Sequence, residues 1–173
     1  MKTALRFKTS LQENIQDLLN DQIAMEAHSS SAYLAMSAWC HVQGLQGTAN
    51  FYRKQSGEER NHMMKIFDYI ADAGGHPISP DVKDIPKNFN NLHDLLLASL
   101  EMEVKITESF NKIVEQCNKS RDFQTARFLD WFLDEQLEEE KTARRAIELY
   151  ELIGTEGTGL FRIDHEIEKL GLE

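Results

Sequence analysis

The sequence predicts an all-α fold, a bundle of four long helices followed by a short fifth helix. Apolar residues recur every three or four positions along most of the 173-residue chain, and the alternating pattern of a strand is almost absent. Glycine-containing turns interrupt this periodicity, and all three prolines fall in a single segment. Because the length and the 41% hydrophobic content suit one well-packed core, we expect residues 1–173 to form a single domain.

The first two helices form a predicted hairpin. A stripe containing Leu19, Ile23 and Tyr33 indicates a helix from about residue 10 to residue 42. Gly44 and Gly47 then break the periodicity in QGLQGT, and a second helix is predicted over about 48–73. A connection this short implies that the two helices are antiparallel neighbours.

The second half of the chain repeats this organisation after a long break. Residues 74–91 contain two glycines and all the prolines, and therefore read as a linker. A third helix is predicted over about 92–118, a fourth over about 123–153, and a short fifth over about 158–170. The apolar residues that predict the fifth helix are Leu160, Phe161, Ile163 and Ile167.

The linker is too long for a hairpin and is predicted to be a crossover. If the polar positions of all four helices meet at one depth, a parallel arrangement of helices two and three needs a connection of about 40 Å. Roughly 17 extended residues at about 3.3 Å each cover that distance. The predicted order is up-down-down-up with one long crossover. Helices one and three are then antiparallel, which places Cys40 and Cys117 at opposite ends with no disulfide between them.

Charged residues occupy positions in the apolar stripes where a helix should bury hydrocarbon. In GEERNHMMKIFDYI, residues 57–70, a Glu and a His fall within the stripe that Ile66 and Ile70 define. The second half of the chain has a corresponding set at the same interval, a lone Glu followed by a polar pair spaced i, i+3. The two sets are Glu26, Glu59 and His62, and Glu103, Gln136 and Glu139.

Four carboxylates in one interior point to metal binding. Desolvation and mutual repulsion cost several kcal/mol per ion unless cations neutralise them, and two divalent metals do so stoichiometrically. One histidine nitrogen among hard oxygen ligands suits Fe(II) or Mn(II) and leaves coordination positions open. The alternative is a bundle core whose polar residues satisfy one another without metal.

Charge and composition exclude several other classes. A net charge of −10 disfavours nucleic acid and an anionic membrane surface, and favours cations. Neither a signal peptide nor an apolar run of membrane-spanning length is apparent. Two cysteines without CxxC spacing suit a reducing compartment and exclude a rubredoxin-type site. We therefore expect a cytoplasmic protein.

The motifs resemble those of the bacterial non-haem ferritins. Glu26 with Tyr33, EERNH at 58–62, Glu103 and EQLEEEK at 135–141 carry the similarity, which extends over essentially the whole chain. The ExxH pair occurs once, and Gln136-x-x-Glu139 stands at the second position, which departs from bacterioferritins and is similar to the plain ferritin pattern. The resemblance implies a ferritin-like four-helix bundle with one long crossover and a short C-terminal helix.

The resemblance also implies a division of the site residues. Glu26, Glu59 and His62 would hold one iron; Glu59 would bridge to a second iron held by Glu103 and Glu139, with Gln136 nearby. An additional iron site would use Glu58, Glu135 and Glu138. Tyr33 would hydrogen-bond a ligand or donate an electron, with core packing as the open alternative; for Trp131 we favour packing.

The function implied by the resemblance is iron storage with ferroxidase activity. Fe(II) would be oxidised by O2 or peroxide at the dinuclear centre and kept as Fe(III) mineral in a cage of 24 subunits. Haem is not expected, because Arg60 stands where a bacterioferritin-type site needs Met. The alternative is a di-iron redox enzyme of the peroxidase or oxygenase type that forms no storage cage.

Overall fold

The computed structural model describes residues 9–172, and over this range the chain is built from helices without a strand. The elements are α1 (Glu13–Val42), α2 (Gln46–Asp72), α3 (Leu92–Ser120), α4 (Phe123–Ile153) and α5 (Gly159–Leu170). None of these helices has both the length and the hydropathy that crossing a membrane requires. The all-α prediction is confirmed.

The α1–α2 hairpin forms as predicted, but α2 begins two residues earlier than the glycine pattern indicated. Gly44 has a φ of 78° and makes the turn. Gly47 lies inside the helix, where a Cβ atom would come within 2.5 Å of the backbone oxygen of Asp164 in α5. It therefore permits a close approach of two helices and does not mark a helix boundary.

Side-chain caps delimit the second hairpin. The Asn91 side chain accepts a hydrogen bond from the backbone N–H of Asp94 at the start of α3. Asp122 does the same for α4, accepting from both the backbone N–H and the hydroxyl of Thr125. Between the two helices, Arg121 adopts a left-handed conformation that reverses the chain within two residues.

The segment 73–91 crosses the length of the bundle. At its beginning, His76 and Ile78 donate backbone hydrogen bonds to the side chains of Gln16 and Asn20, near the start of α1. At its end, the Phe89 ring packs edge-on against Trp39, near the other end of α1. This path makes α2 and α3 parallel, and the predicted crossover is confirmed.

The interior consists of two hydrophobic clusters, one toward each end of the bundle. The first combines the beginning of α1 and the end of α3, including Ile15 and Cys117. The second combines the end of α1 with the beginning of α3, including Cys40 and Leu95, and α5 closes it. Both cysteines are free and buried in different clusters, as the antiparallel arrangement of α1 and α3 predicts.

The predicted fifth helix is confirmed, and its four apolar residues differ in burial. Ile163 and Ile167 are fully buried in the second cluster. Leu160 and Phe161, which contributed to the prediction, are 42% and 78% exposed in the single chain. Two of the four apolar residues therefore point away from the core of their own subunit.

Candidate metal centre

The polar side chains singled out in the helix stripes lie at the junction of the two hydrophobic clusters. Each of the four long helices contributes at least one of them, because each passes from one cluster to the other at that depth. All are at most 8% exposed. They are Glu26, Glu59, His62, Glu103, Gln136 and Glu139.

Three of these residues converge closely enough to share a cation. One ligand atom from each of Glu26, Glu59 and His62 lies within 4.8 Å of the others, and this is the one such group within residues 9–172. The Nδ1 atom of His62 is 3.4 Å from the Glu59 carboxylate, a distance in the ion-pair range. Two carboxylates and an imidazole suit a divalent transition metal.

Three of the four carboxylate oxygens in this group lack a hydrogen-bond donor. Both oxygens of Glu59 and Oε2 of Glu26 are buried without a hydrogen-bond partner in the described part of the chain. Buried carboxylate oxygens without donors are costly, since water no longer solvates them. A cation supplies the missing interaction, so these residues fit a bound metal.

The other two carboxylates already have donors. Glu103 accepts hydrogen bonds from the Tyr33 hydroxyl and from Nε2 of Gln136, the latter at 3.1 Å. Glu139 accepts one from Nε2 of Gln55 at 2.6 Å. Among residues 9–172, neither carboxylate joins a metal-sized group with the other site residues.

Burial raises the pKa of the four central carboxyl groups. The pKa of Glu26 lies well above its usual value because of burial and the nearby charge of Glu59, and burial raises that of Glu59 as well. Burial likewise raises the pKa of Glu103 to about 7 and that of Glu139 to about 8. A metal that binds near neutral pH therefore displaces protons as well as filling the site.

Two glutamines were not assigned a role from the sequence. Gln22, one turn before Glu26, donates from Nε2 to the Glu26 carboxylate at 2.7 Å and is fully buried. Gln55 stands in the same relation to Glu59, one turn before it, but donates across the bundle to Glu139. Polar residues on the buried stripe one turn from a ligand were the available signal.

Comparisons with known proteins agree with this geometry. A family model described as a ferritin-like domain matches residues 16–153. This chain belongs to the ferritin-like family. A probable bacterial non-heme ferritin-like protein of Haemophilus influenzae is 36% identical over 160 residues, covering 92% of this chain and 97% of the relative. The bacterial non-heme ferritin of Campylobacter jejuni is 35% identical over 162 residues, covering 94% and 97%.

Solved ferritin structures share the fold. The open pore ferritin from the hyperthermophilic archaeon Archaeoglobus fulgidus superposes with a TM-score of 0.89 and 33% sequence identity. The match covers 92% of this chain and 97% of that one. The four-helix bundle with a short C-terminal helix is therefore the architecture of this ferritin-like chain.

The three glutamates assigned to an additional site line a cavity between α2 and α4. Glu58, Glu135 and Glu138 surround about 450 Å³ together with Gln55 and Glu139, so the cavity reaches the edge of the central site. Lysines pair with two of these glutamates: Lys54 lies 3.2 Å from Glu58, and Lys141 lies 2.8 Å from Glu138. The three carboxylates are more exposed than the central ones.

The aromatic residues near the centre have distinct surroundings. Tyr33 is buried, stacks on Tyr52 at 5.5 Å between ring centroids, and contacts Glu103 through its hydroxyl. Trp131 is 39% exposed, and its ring meets the edge of His62 with centroids 5.4 Å apart. The Lys65 ammonium lies 3.1 Å above the Trp131 ring. Trp131 thus shields one side of His62 from solvent.

Proposed function

We propose that this ferritin-like protein stores iron and oxidises it at a dinuclear centre. The observation that carries the proposal is the group of Glu26, Glu59 and His62, in which three buried carboxylate oxygens lack any donor. Relatives named non-heme ferritins over almost the whole chain support iron as the metal. The iron is the substrate and cargo of the protein.

The chain's own residues supply the binding sites. Glu26, Glu59 and His62 hold the first Fe(II), and Glu59, Glu103 and Glu139 hold the second, with Gln136 beside it. Glu59 bridges the two, which its pair of donor-free oxygens supports. The carboxyl groups release protons as Fe(II) binds, because their pKa values in the metal-free chain are raised.

The oxidation balances without a further cofactor. Two Fe(II) ions give up two electrons and become Fe(III), while one O2 takes two electrons and two protons to form hydrogen peroxide. Peroxide as oxidant takes two electrons and two protons and gives two water molecules. Fixing both ions in one buried site keeps this two-electron step within the protein. The product then moves to a mineral store.

A cage of 24 chains in the cytoplasm completes the proposal. Large apolar side chains near the C-terminal end of the chain are exposed in the single subunit: Leu152 at 77%, Phe161 at 78% and Leu172 at 80%. Exposed apolar side chains of this size support burial against other subunits.

Glu58, Glu135 and Glu138 form the third iron site. No haem is expected, since Arg60 is exposed and haem would need a Met there.

The test combines stoichiometry with size. Metal-free protein receives Fe(II) in steps under air while absorbance of Fe(III) and particle mass are recorded. A fast phase that saturates at two Fe(II) per chain, in a hollow particle of about 24 chains that fills with mineral, supports the proposal. A monomer or dimer that oxidises Fe(II) and retains no mineral would instead favour a di-iron redox enzyme.

A further inference from the structure

The two halves of the candidate centre differ in how their carboxylates are held. Of the four buried oxygens of Glu26 and Glu59, one accepts a hydrogen bond from Gln22 and three have no donor. Glu103 and Glu139 accept hydrogen bonds from neutral side chains. A cation entering the first half can bind to the three donor-free oxygens without breaking a hydrogen bond. A cation entering the second half competes with donors that are already in place.

Gln55 is the donor on Glu139, and its position is specific. It lies on α2, one turn before Glu59, and is 5% exposed. Its Nε2 atom is 2.6 Å from Oε2 of Glu139 on α4. Both side chains line the cavity between α2 and α4, so this hydrogen bond lies at the wall of the cavity.

The hydrogen bond keeps Glu139 turned toward α2. Among residues 9–172, the metal-sized group contains Glu26, Glu59 and His62 and leaves Glu139 outside. Gln55 is the side chain that the structure shows donating to Glu139. Moving Glu139 to a cation breaks this short hydrogen bond between two buried side chains, so the movement carries a cost.

We propose that Gln55 is a positioning residue that holds Glu139 away from the second cation position and thereby makes the second divalent cation bind more weakly than the first. The inference rests on the proposed dinuclear centre. Gln55 itself need not touch either cation. It sets the ratio of the two binding constants, because it stabilises Glu139 in a position away from the second cation.

The experiment is a calorimetric titration of the assembled, metal-free protein with Zn2+, which binds such ligands without redox chemistry. Wild type should fill the two positions of the central site with unequal constants, before any Zn2+ binds at Glu58, Glu135 and Glu138. In Gln55→Leu, the second constant should approach the first by about three- to tenfold, the effect of removing one hydrogen bond. Titration in two buffers of different ionisation enthalpy counts the protons released and separates their effect.

A matched control uses a glutamine away from the centre. Gln116 donates to Ser120 near the end of α3 and is partly buried. Gln116→Leu should leave both constants unchanged. Gln55→Asn retains polarity but shortens the side chain by one methylene. It should bring the two binding constants closer together, as Gln55→Leu does. This variant carries the test if the apolar replacement does not fold.

A structural readout needs no variant. In wild-type crystals soaked with one equivalent of Zn2+, the metal should lie at Glu26, Glu59 and His62, with the Gln55–Glu139 hydrogen bond intact. The hydrogen bond should break at two equivalents. If the bond survives full loading, the proposal is wrong.

The outcomes separate this inference from the function on which it rests. If the ratio of the two binding constants stays unchanged or increases in both Gln55 variants, the role of Gln55 is refuted. The dinuclear centre is not affected by that result. A wild-type protein that binds a single Zn2+ overturns the dinuclear centre, and the proposal for Gln55 falls with it.

Discussion

Asp164 of α5 caps the N-terminus of α2 at Thr48. Its Oδ1 atom accepts hydrogen bonds from the backbone N–H and the hydroxyl of Thr48, at 2.7 and 2.8 Å, and its Oδ2 accepts from the N–H of Gly47 at 3.0 Å. The residue at the helix boundary, Leu45, has no side chain able to do this. The short fifth helix therefore supplies the N-terminal cap of α2, the helix that contains Glu59.

Removing this cap should lower the stability of the chain. Asp164→Ala leaves two backbone donors at the start of α2 without their partner, and we expect a loss of about 1–2 kcal/mol in the free energy of unfolding, as for other helix caps. Urea unfolding followed by circular dichroism measures it. Asp68→Ala, at an exposed position of α2, serves as control. Equal stability of the two variants would show that the cap contributes nothing.

Glu59→Ala tests the bridge between the two proposed irons. The rapid oxidation of Fe(II) should fall by more than the roughly 10- to 100-fold that loss of an outer-shell partner costs. The metal-free chain should be as stable as wild type or more stable, because one buried like charge is gone. Stopped-flow absorbance gives the rate, and Glu101→Ala on the exposed side of α3 is the control. A rate near that of wild type would refute the bridging role.

The metal-free protein should lose stability as the pH rises from about 5 to 8. The folded-state pKa values of Glu103 and Glu139 are raised to about 7 and about 8, above the unfolded value of about 4.3. The folded chain thus binds more protons than the unfolded chain, and the free energy of unfolding falls through this window.

Thermal unfolding in the presence of a chelator, measured at intervals across that window, checks the expectation. Glu103→Gln combined with Glu139→Gln should flatten the fall, since neither side chain then titrates. Saturating Zn2+ should also raise the melting temperature most at the upper end, where fewer protons compete for the ligands. A melting temperature that rises steadily toward pH 8 without metal contradicts the assignment of the raised pKa values.

The glutamates of the α2–α4 cavity should act after the first oxidation. Glu135→Ala with Glu138→Ala should keep the initial fast phase within about twofold of wild type, because exposed ion pairs such as Glu138–Lys141 contribute little. The later turnover and the total stoichiometry should change. Multi-turnover oxidation at increasing Fe(II) additions distinguishes the phases. If the double change removes the initial phase, these residues belong to the central site.

The sequence predicted those parts of the molecule that depend on periodicity and length. Glu59 and His62 stand out because a charge in an apolar stripe violates the helical pattern, and the same holds for Glu103. The crossover follows from distance, since segment 73–91 can span the bundle and a hairpin needs far fewer residues. Both kinds of inference use only backbone geometry, which the sequence constrains strongly.

The orientation of individual side chains could not be predicted from the sequence. Gln55 sits in the same stripe as Glu59, but which carboxylate it contacts depends on rotamers and on the spacing between α2 and α4. From the sequence, Gly47 was interpreted as a turn residue. The structure shows that glycine is needed there because the backbone of Asp164 approaches closely, a tertiary contact that the local sequence does not reveal. Phe161 contributed to the apolar pattern that predicted α5, but that pattern did not show that its side chain is 78% exposed.

The division of the interior into two hydrophobic clusters has a consequence for how the protein opens. Each long helix runs through both clusters, with the donor-poor carboxylates at the boundary between them. Without a cation, this boundary is the weakest layer of the core, and the two ends can fluctuate as separate cooperative units in hydrogen exchange. A cation bound by Glu26 of α1 and Glu59 of α2 ties the layer together. After iron loading, the amide hydrogens of the two clusters should therefore exchange as one cooperative unit.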